Sequence, residues 1–562
     1  MQNRLIIALG VWLGLFAFVQ STTLAQTSAN IPLNDPSYDW VQILIGAGLI
    51  KSDFPEQRPW SALEFARLIK EAEKNFEIKQ ENDAKEPSLS KFTKAASQNR
   101  FLKKIFSALH SEFRDTLDER HGVYVHPLEV AYGQYMYLGE NPTLVAPNGL
   151  DPISGEFHPF YWDQEGRHYV KGNNFDLQTR HSLQLGKYVS VFGRPQIEVT
   201  VPTVTGIGSS INIYAKTLAA KVGWKNVELE VGRDQLVWGS AQNGGVLFSN
   251  NPRGLDMIEL DTPYPFHLPW ALKKLGSYKL AVFLSNLGPQ YSPERPWITG
   301  LQFVWHIIPS IRLGFNHELT FGGQGYPTLP PGDVILETIG FPMATGNPLG
   351  GGYPTNRSYT FSGGFRIPSL RNIEFATQIY FEDISFGDLG PVPGHYLTYF
   401  GNLRVPRLTN DGRLSLYAEY EYVGSRPYRH IQYFNGWTLN REFLAHTFGP
   451  DTQFVRTDFR YTISPYSWGD LNLLYIRRLS DIYKYVSDGT GSGRIVDIVT
   501  VSSGPKEQHY MAIGEFHVQI APHWQLYSQA GLDWIQNANF VQGQTAQHGL
   551  FKLGLMWRQN MH

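Results

Sequence analysis

Two carboxylate pairs, Glu419 with Glu421 and Glu382 with Asp383, have the side chains and spacing for acid–base work on a glycosidic bond. Residues at i and i+2 of a strand place carboxyls about 7 Å apart, the range in which one protonates a leaving oxygen and the other activates water. Polar sheet faces carry such charges routinely, however, and no GxSxG elbow or phosphate-cradling loop accompanies them. His317-Glu318 lacks the second histidine of a zinc-protease helix, and the 17 histidines show no ligand spacing. The expectation is therefore no catalytic residue, no metal and no cofactor. A second group suits sugar binding, in which aromatic faces stack on the ring, amides bond hydroxyls and arginine clamps the carboxylates of acidic polymers. Arg233, Trp238, Asn250 and Asn251 supply each kind once within a Gly-rich stretch. The alternative for that set is scaffolding: Gly239, Gly244 and Gly245 permit tight turns, while Arg233 and the Asn pair satisfy buried backbone groups inside the fold. Tyr161, Trp162, Arg426, Tyr428, Arg429 and Trp437, in two long polar segments, are the better polysaccharide-binding candidates, set against a role in packing loops or girdling a barrel.

What must position these residues is a set of strands. From residue 121 onward the hydrophobic period is 2. Trp524, Leu526, Ala530, Leu532 and Trp534 alternate with Gln525, Tyr527, Gln529 and Asp533, and Ile373, Phe375, Ile379 and Phe381 alternate with Asn372, Glu374, Gln378 and Glu382. Alternation alone also suits a soluble sandwich. The apolar stripe is longer, though: ten residues from Trp524 to Trp534, at ~3.3 Å each and ~45° of tilt, give roughly 23 Å, near the ~25 Å apolar band of an outer-membrane barrel. The 14 Trp, 30 Tyr and 34 Phe are enough to build both aromatic girdles.

The pattern predicts an all-β transmembrane barrel over 121–562. Short turns fall at Gly186-Lys187, Trp224-Lys225, Lys274-Leu275, Pro309-Ser310, Pro368-Ser369, Asn410-Asp411, Pro465-Tyr466 and Pro522-His523. Eight turns separate nine units of two strands, hence about 18 antiparallel strands, an even number as closure requires. The Pro-interrupted stretch 250–275 is the least regular. The long segments 138–167, 239–254, 323–357, 424–452 and 481–506 then lie together at the other end, with 323–357 either folding inward or lying on the surface.

Ahead of the strands, Arg4, the apolar run Leu5 to Val19 and Thr23-Leu24-Ala25 form a signal-peptide pattern over 1–25. The run is too short for a membrane-spanning helix. Residues 26–120 read as a small α-helical domain on the periplasmic side, placed to stopper the lumen: Asp35-Pro36 opens a helix over Ser37 to Ile50 with Gly48 as a stop, Ser61 to Glu64 forms a capping box, and a third helix runs from Leu89 to about Leu117. With 48 Lys+Arg against 50 Asp+Glu, the net charge of −2 leaves no cationic excess for nucleic acid. The absence of cysteine excludes a disulfide scaffold and lipoprotein attachment.

The run Gly232-Arg233-Asp234-Gln235-Leu236-Val237-Trp238-Gly239 followed by Gly245-Val246-Leu247-Phe248-Ser249-Asn250-Asn251 resembles the signature of the Wzi capsule-assembly family. Gly46-Ala47-Gly48-Leu49-Ile50 and Arg58-Pro59-Trp60-Ser61 are similar to its first helices. Pro252 stands where that pattern has a small residue, and the chain ends Asn560-Met561-His562 rather than on an aromatic. The resemblance implies an eighteen-stranded barrel in the outer membrane of a Gram-negative bacterium, with a helical bundle near the lumen. It also implies a lectin-like role in holding capsular or exopolysaccharide at the cell surface. Expected partners are that polymer and outer-membrane lipid, with the polysaccharide export machinery as a further candidate. The runner-up function is a diffusion pore or uptake channel, since such a wall encloses a water-wide lumen.

Overall fold

The computed structural model describes residues 26–85, 89–118, 122–145, 155–160, 163–204, 206–242, 244–340, 355–382, 397–430, 432–478, 481–487, 495–502 and 504–561. Eighteen strands close one antiparallel barrel. In chain order they are β1 (Val123–Leu138), β2 (Gly172–Leu185), β3 (Val189–Pro202), β4 (Ser210–Trp224), β5 (Val227–Asp234), β6 (Leu255–Asp261), β7 (Ser277–Asn286), β8 (Trp297–Ile308) and β9 (Ile311–Phe321). The second half comprises β10 (Thr355–Ile367), β11 (Ile373–Glu382), β12 (Leu397–Val405), β13 (Leu414–Val423), β14 (Thr452–Ser464), β15 (Ser467–Arg478), β16 (Glu507–Ala521), β17 (Trp524–Gln536) and β18 (Thr545–Arg558). The ring closes where β1 pairs with β18 on one side and β2 on the other. No described helix is long and apolar enough to cross a membrane; this chain crosses with strands.

Side chains follow the inverted parity that the alternation predicts. On β17, Leu532 is 72% exposed while its neighbour Asp533 is 1% exposed, so the apolar side faces outward and the acid faces the lumen. Seven of the expected short turns are observed as such. The exception is the connection after β6. It runs from 262 to 276 with a 3-10 helix at Trp270–Leu275, because Pro263, Pro265 and Pro269 deny it ladder donors.

The helical segment holds α1 (Ser37–Gly46), α2 (Ala62–Lys85), α3 (Leu89–Glu112) and α4 (Arg114–Leu117). Pro36 is the N-cap of α1, and the Asp35 carboxylate one residue earlier accepts from the Ser37 N–H at 3.0 Å and hydroxyl at 2.6 Å. The helix stops at Gly46, short of the expected Ile50, and Gly48 takes a φ of 76°. Ser61 accepts from the Glu64 N–H at 3.3 Å, half of the expected capping box. The third expected helix breaks at Phe113 into α3 and α4. Leu44, Ile45, Leu68, Ile69, Ile105 and Leu109 form the shared core of these helices.

Candidate functional site

Two separate layers of protein cross the lumen, and together they define where a ligand can reach. The first, at the short-turn end, is the chain from Thr27 to Arg58 together with the end of α3. Its acids meet arginines of the wall. Asp35 bonds Arg180 of β2 at 2.8 Å and Arg558 of β18 at 3.0 Å, and Glu112 bonds the same two at 2.7 and 2.8 Å. Asp53 forms a two-bond pair with Arg366 of β10, both at 2.9 Å, and Glu56 bonds Arg312 of β9 at 2.7 Å. Asp39 bonds Arg460 of β14. Because these partners lie on strands around the ring, the segment spans the opening. Burial works against charge on Asp35, Asp53 and Glu56, but the arginines more than offset it and hold all three carboxyls below the usual range.

The second layer is built by loops 239–254 and 424–451 at the long-loop end. Leu247, Phe248, Trp437, Leu439, Phe443 and Leu444 are all fully buried in one apolar cluster with Trp238. The Tyr428 hydroxyl donates to the Val246 carbonyl at 2.8 Å and the Trp437 indole donates to the Leu247 carbonyl at 2.8 Å. Gly239 has a φ of +152°, and a Cβ there would stand 2.6 Å from the Gly245 Cα, so this loop needs glycine for its two limbs to meet. Helix α5 (Pro331–Thr338), from the next long loop, does not join this layer: the Glu337 carbonyl is 2.9 Å from Nε2 of His317, whose cross-strand partner Leu301 faces outward. That segment lies on the outer surface of the wall, the other of the two expected outcomes: Arg357, which pairs with Glu337 at 2.9 Å, shares the outward parity of Phe361 and Phe365; residues 341–354 lie outside the described ones. Between the layers remains a polar chamber of ≈ 450 Å³.

The outer surface of the second layer carries a pocket of ≈ 280 Å³ lined by Leu287, Gln290, Tyr291, Asn435, Asn440 and Arg441. Asn440 and Arg441, with φ of 52° and 68°, turn the short hairpin Thr438–Leu439/Glu442–Phe443 outward. Arg441 is 64% exposed and bonds Glu156 at 3.2 Å, leaving most of its fork open. Phe434 nearby is 56% exposed. Beneath the turn, burial pushes the Glu442 carboxyl up to about 7, with His168 3.4 Å away. Amides, an arginine and an aromatic around a cleft can bond sugar hydroxyls, clamp a carboxylate and cover a ring face.

The expected site residues are placed differently. Tyr161 and Trp162 lie outside the described residues. Tyr428 and Trp437 are buried, their polar atoms spent on the motif loop, so they hold the second layer together and show no face to a ligand. Arg429 is buried against Ser425 and Asp451, and Arg426 is half-buried. Trp238 packs at 5.2 Å on Phe248. Asn251 joins the loops by donating to the Phe443 carbonyl at 3.1 Å, and the backbone of Asn250 accepts from Glu165 at 3.0 Å. All three contacts are internal to the fold, and Arg233 stands apart. Its guanidinium lies on the outer face, paired with Asp256 at 2.7 and 2.9 Å. The reason is parity: Arg233 shares the outward side of β5 with Leu229 and Val231. Glu419 and Glu421 line a void of only ≈ 40 Å³, about the room of one water and too small for a sugar ring. Glu382 accepts from Asn356 and the Tyr428 N–H; Asp383 lies outside the described residues. Missed in the sequence were Gln290, Asn440 and Arg441. The one local signal was Asn440, a residue type that tolerates the positive φ it adopts; nothing in the sequence around Gln290 marked it.

An eighteen-strand closed wall whose lumen is crossed by two layers of protein defines a barrel of the outer-membrane type. A family model, capsule assembly protein Wzi, matches residues 152–549, and the chain belongs to this family. Among solved structures, the Escherichia coli outer-membrane protein Wzi, described as a carbohydrate-binding β-barrel involved in group 1 capsule assembly, is 16% identical. The match covers 95% of this chain and 99% of that one with a TM-score of 0.61. OprD of Pseudomonas aeruginosa is 11% identical over 77% of this chain and 93% of its own, with a TM-score of 0.41. No curated protein matches.

Proposed function

We propose that this protein holds capsular or exopolysaccharide at the cell surface through the pocket around Asn440 and Arg441. The supporting observation is that the pocket crowns a lumen crossed by two layers of protein: a barrel so filled has the architecture of a platform, whereas a pore needs an open path. In this reading residues 1–25 are removed on export, and the helical segment 26–120 forms the periplasmic stopper. The long loops face outward, and binding involves no bond-making chemistry. The polymer's source is the export machinery, which delivers it to the outer face. Family membership supports the capsule role, and the E. coli relative's carbohydrate binding supports the ligand class.

The test is a triple variant, Gln290→Ala, Asn440→Ala and Arg441→Ala, in the native cell. All three side chains lie at the surface of the second layer, so the barrel folds as before, checked by its heat-modifiable mobility. Losing one charge-assisted and two neutral contacts is expected to weaken polymer binding by roughly tenfold or more. Surface-attached polysaccharide falls and shed material rises. Undiminished attachment with normal protein levels removes the pocket from the mechanism.

A further inference from the structure

The rim at the short-turn end is not uniform. Along one arc, three successive connections each place lysine beside an exposed aromatic. Lys187 lies over the Tyr188 ring at 5.2 Å in the β2–β3 turn, and Lys225 over the Trp224 ring at 4.6 Å in the β4–β5 turn. Lys273 and Lys274 follow Trp270 in the β6–β7 connection. Trp270 is 88% exposed, Trp224 67% and Tyr188 49%. Among the described residues, none of the four lysines makes a salt bridge or a side-chain hydrogen bond. Elsewhere on this rim the cations are spent: Arg371 donates to the Leu408 carbonyl at 3.1 Å and Arg413 to the Ile463 carbonyl at 2.7 Å.

The wall above this arc is also low. β5 has eight residues and β6 seven, which at ~3.3 Å each and ~45° of tilt make roughly 16 Å for β6, well below a ~25 Å apolar band. The connection 262–276 compensates from outside. Phe266 and Leu268 pack on Tyr278, Leu280 and Val282 of the outer face, and the chain carries on into Trp270, Leu272 and Leu275, all exposed. Apolar surface continuous with the lipid-facing wall thus ends in a row of uncommitted ammonium groups, the arrangement in which lysine stems lie in acyl chains and their heads reach phosphate.

We propose that this arc is a binding site for anionic diacyl phospholipid, with Lys187, Lys225, Lys273 and Lys274 on the headgroup phosphates and Trp224, Trp270 and Leu272 among the upper acyl segments. The leaflet concerned, the periplasmic one, rests on the orientation given above. Wall height, aromatic depth and free charge meet on the same arc, which free phosphate in solution would not exploit.

The full-length protein contains no cysteine, so Leu272→Cys carries a single environment-sensitive dye. Added phosphatidylglycerol in zwitterionic mixed micelles is expected to saturate a blue shift that phosphatidylcholine does not produce. Changing all four lysines to serine is expected to weaken that titration about tenfold or more, and salt weakens it further. Arg371→Ser leaves it unchanged. Equal responses to both lipids, or a quadruple serine variant that titrates like the parent, overturn the site. Labelling of the undyed Leu272→Cys variant by an impermeant maleimide in intact cells separately overturns the orientation. A response to lipid A in place of phosphatidylglycerol overturns the choice of ligand.

Discussion

The two layers that cross the lumen are built from opposite chemistry. The helical layer is seated by buried acid–arginine pairs, each of which demands a partner in one position. The loop layer is seated by an apolar cluster, which tolerates small shifts and is tied by a few bonds to backbone carbonyls. Ionic seating gives the first layer a unique register against the ring. Apolar seating gives the second a firm base while leaving its upper surface free to carry polar groups.

The largest expected effect comes from removing layers. Deleting residues 26–118 alone leaves the loop layer in place, so planar-bilayer current stays near that of the intact chain, and so does replacing 424–451 alone with a short turn. Only the combined change is expected to conduct freely; large current from either single change would mean that one layer does not seal.

Next is Arg366→Ala, which strips Asp53 of its two-bond partner. Leaving a buried carboxylate unpaired costs about 3–5 kcal/mol. Protease should then release the helical segment at lower urea, with the barrel intact. Restoration of most of the loss by adding Asp53→Ala would confirm that the cost is the orphaned charge. For the loop layer, Leu247→Ala, at a fully buried site, is expected to cost about 2–5 kcal/mol. Hydrogen exchange should rise in 239–254 and 424–451 and stay unchanged in α1.

The smallest effect separates the layers by pH. Burial raises Glu442, and although burial opposes charge on His168, the neighbouring carboxylates Glu156 and Glu442 raise it overall. Groups raised in the fold stabilise below their ordinary values and lose that contribution as pH climbs, for Glu442 through about 7. Asp35, Asp53 and Glu56 of the helical layer are lowered, so their contribution is present above the ordinary carboxylate range and is lost only in strong acid. Between pH 5 and 8, amide exchange at Glu442 and Phe443 should therefore quicken with rising pH, beyond the intrinsic rate, while α1 shows no such change. Glu442→Gln should flatten the response.

Much of the fold was legible because strand parity is local. Trp524 to Trp534 alone shows which side meets lipid, and counting turns yields the ring size. Arg233 was equally readable, since it continues the outward parity of Leu229 and Val231. The fate of Tyr428 and Trp437 was not readable. Their burial depends on loop 239–254, nearly two hundred residues away, and no window of sequence records that two polar-looking segments will cover each other. The same long-range pairing leaves Asn440 and Arg441 on top. Helix α1 ended early because Gly48, placed correctly as a stop, acts two residues beyond the last helical turn.

Asp35 touches Arg180 and Arg558, which stand on β2 and β18, either side of the first strand. One carboxylate thus bridges the seam where the beginning of the sheet meets its end. That bridge exists only after the circle is complete, so a chain with its last strand unplaced offers this acid half a receptor. Seating of the amino-terminal helices accordingly serves as a read-out of finished assembly, and a protease that trims them would single out barrels that never joined up.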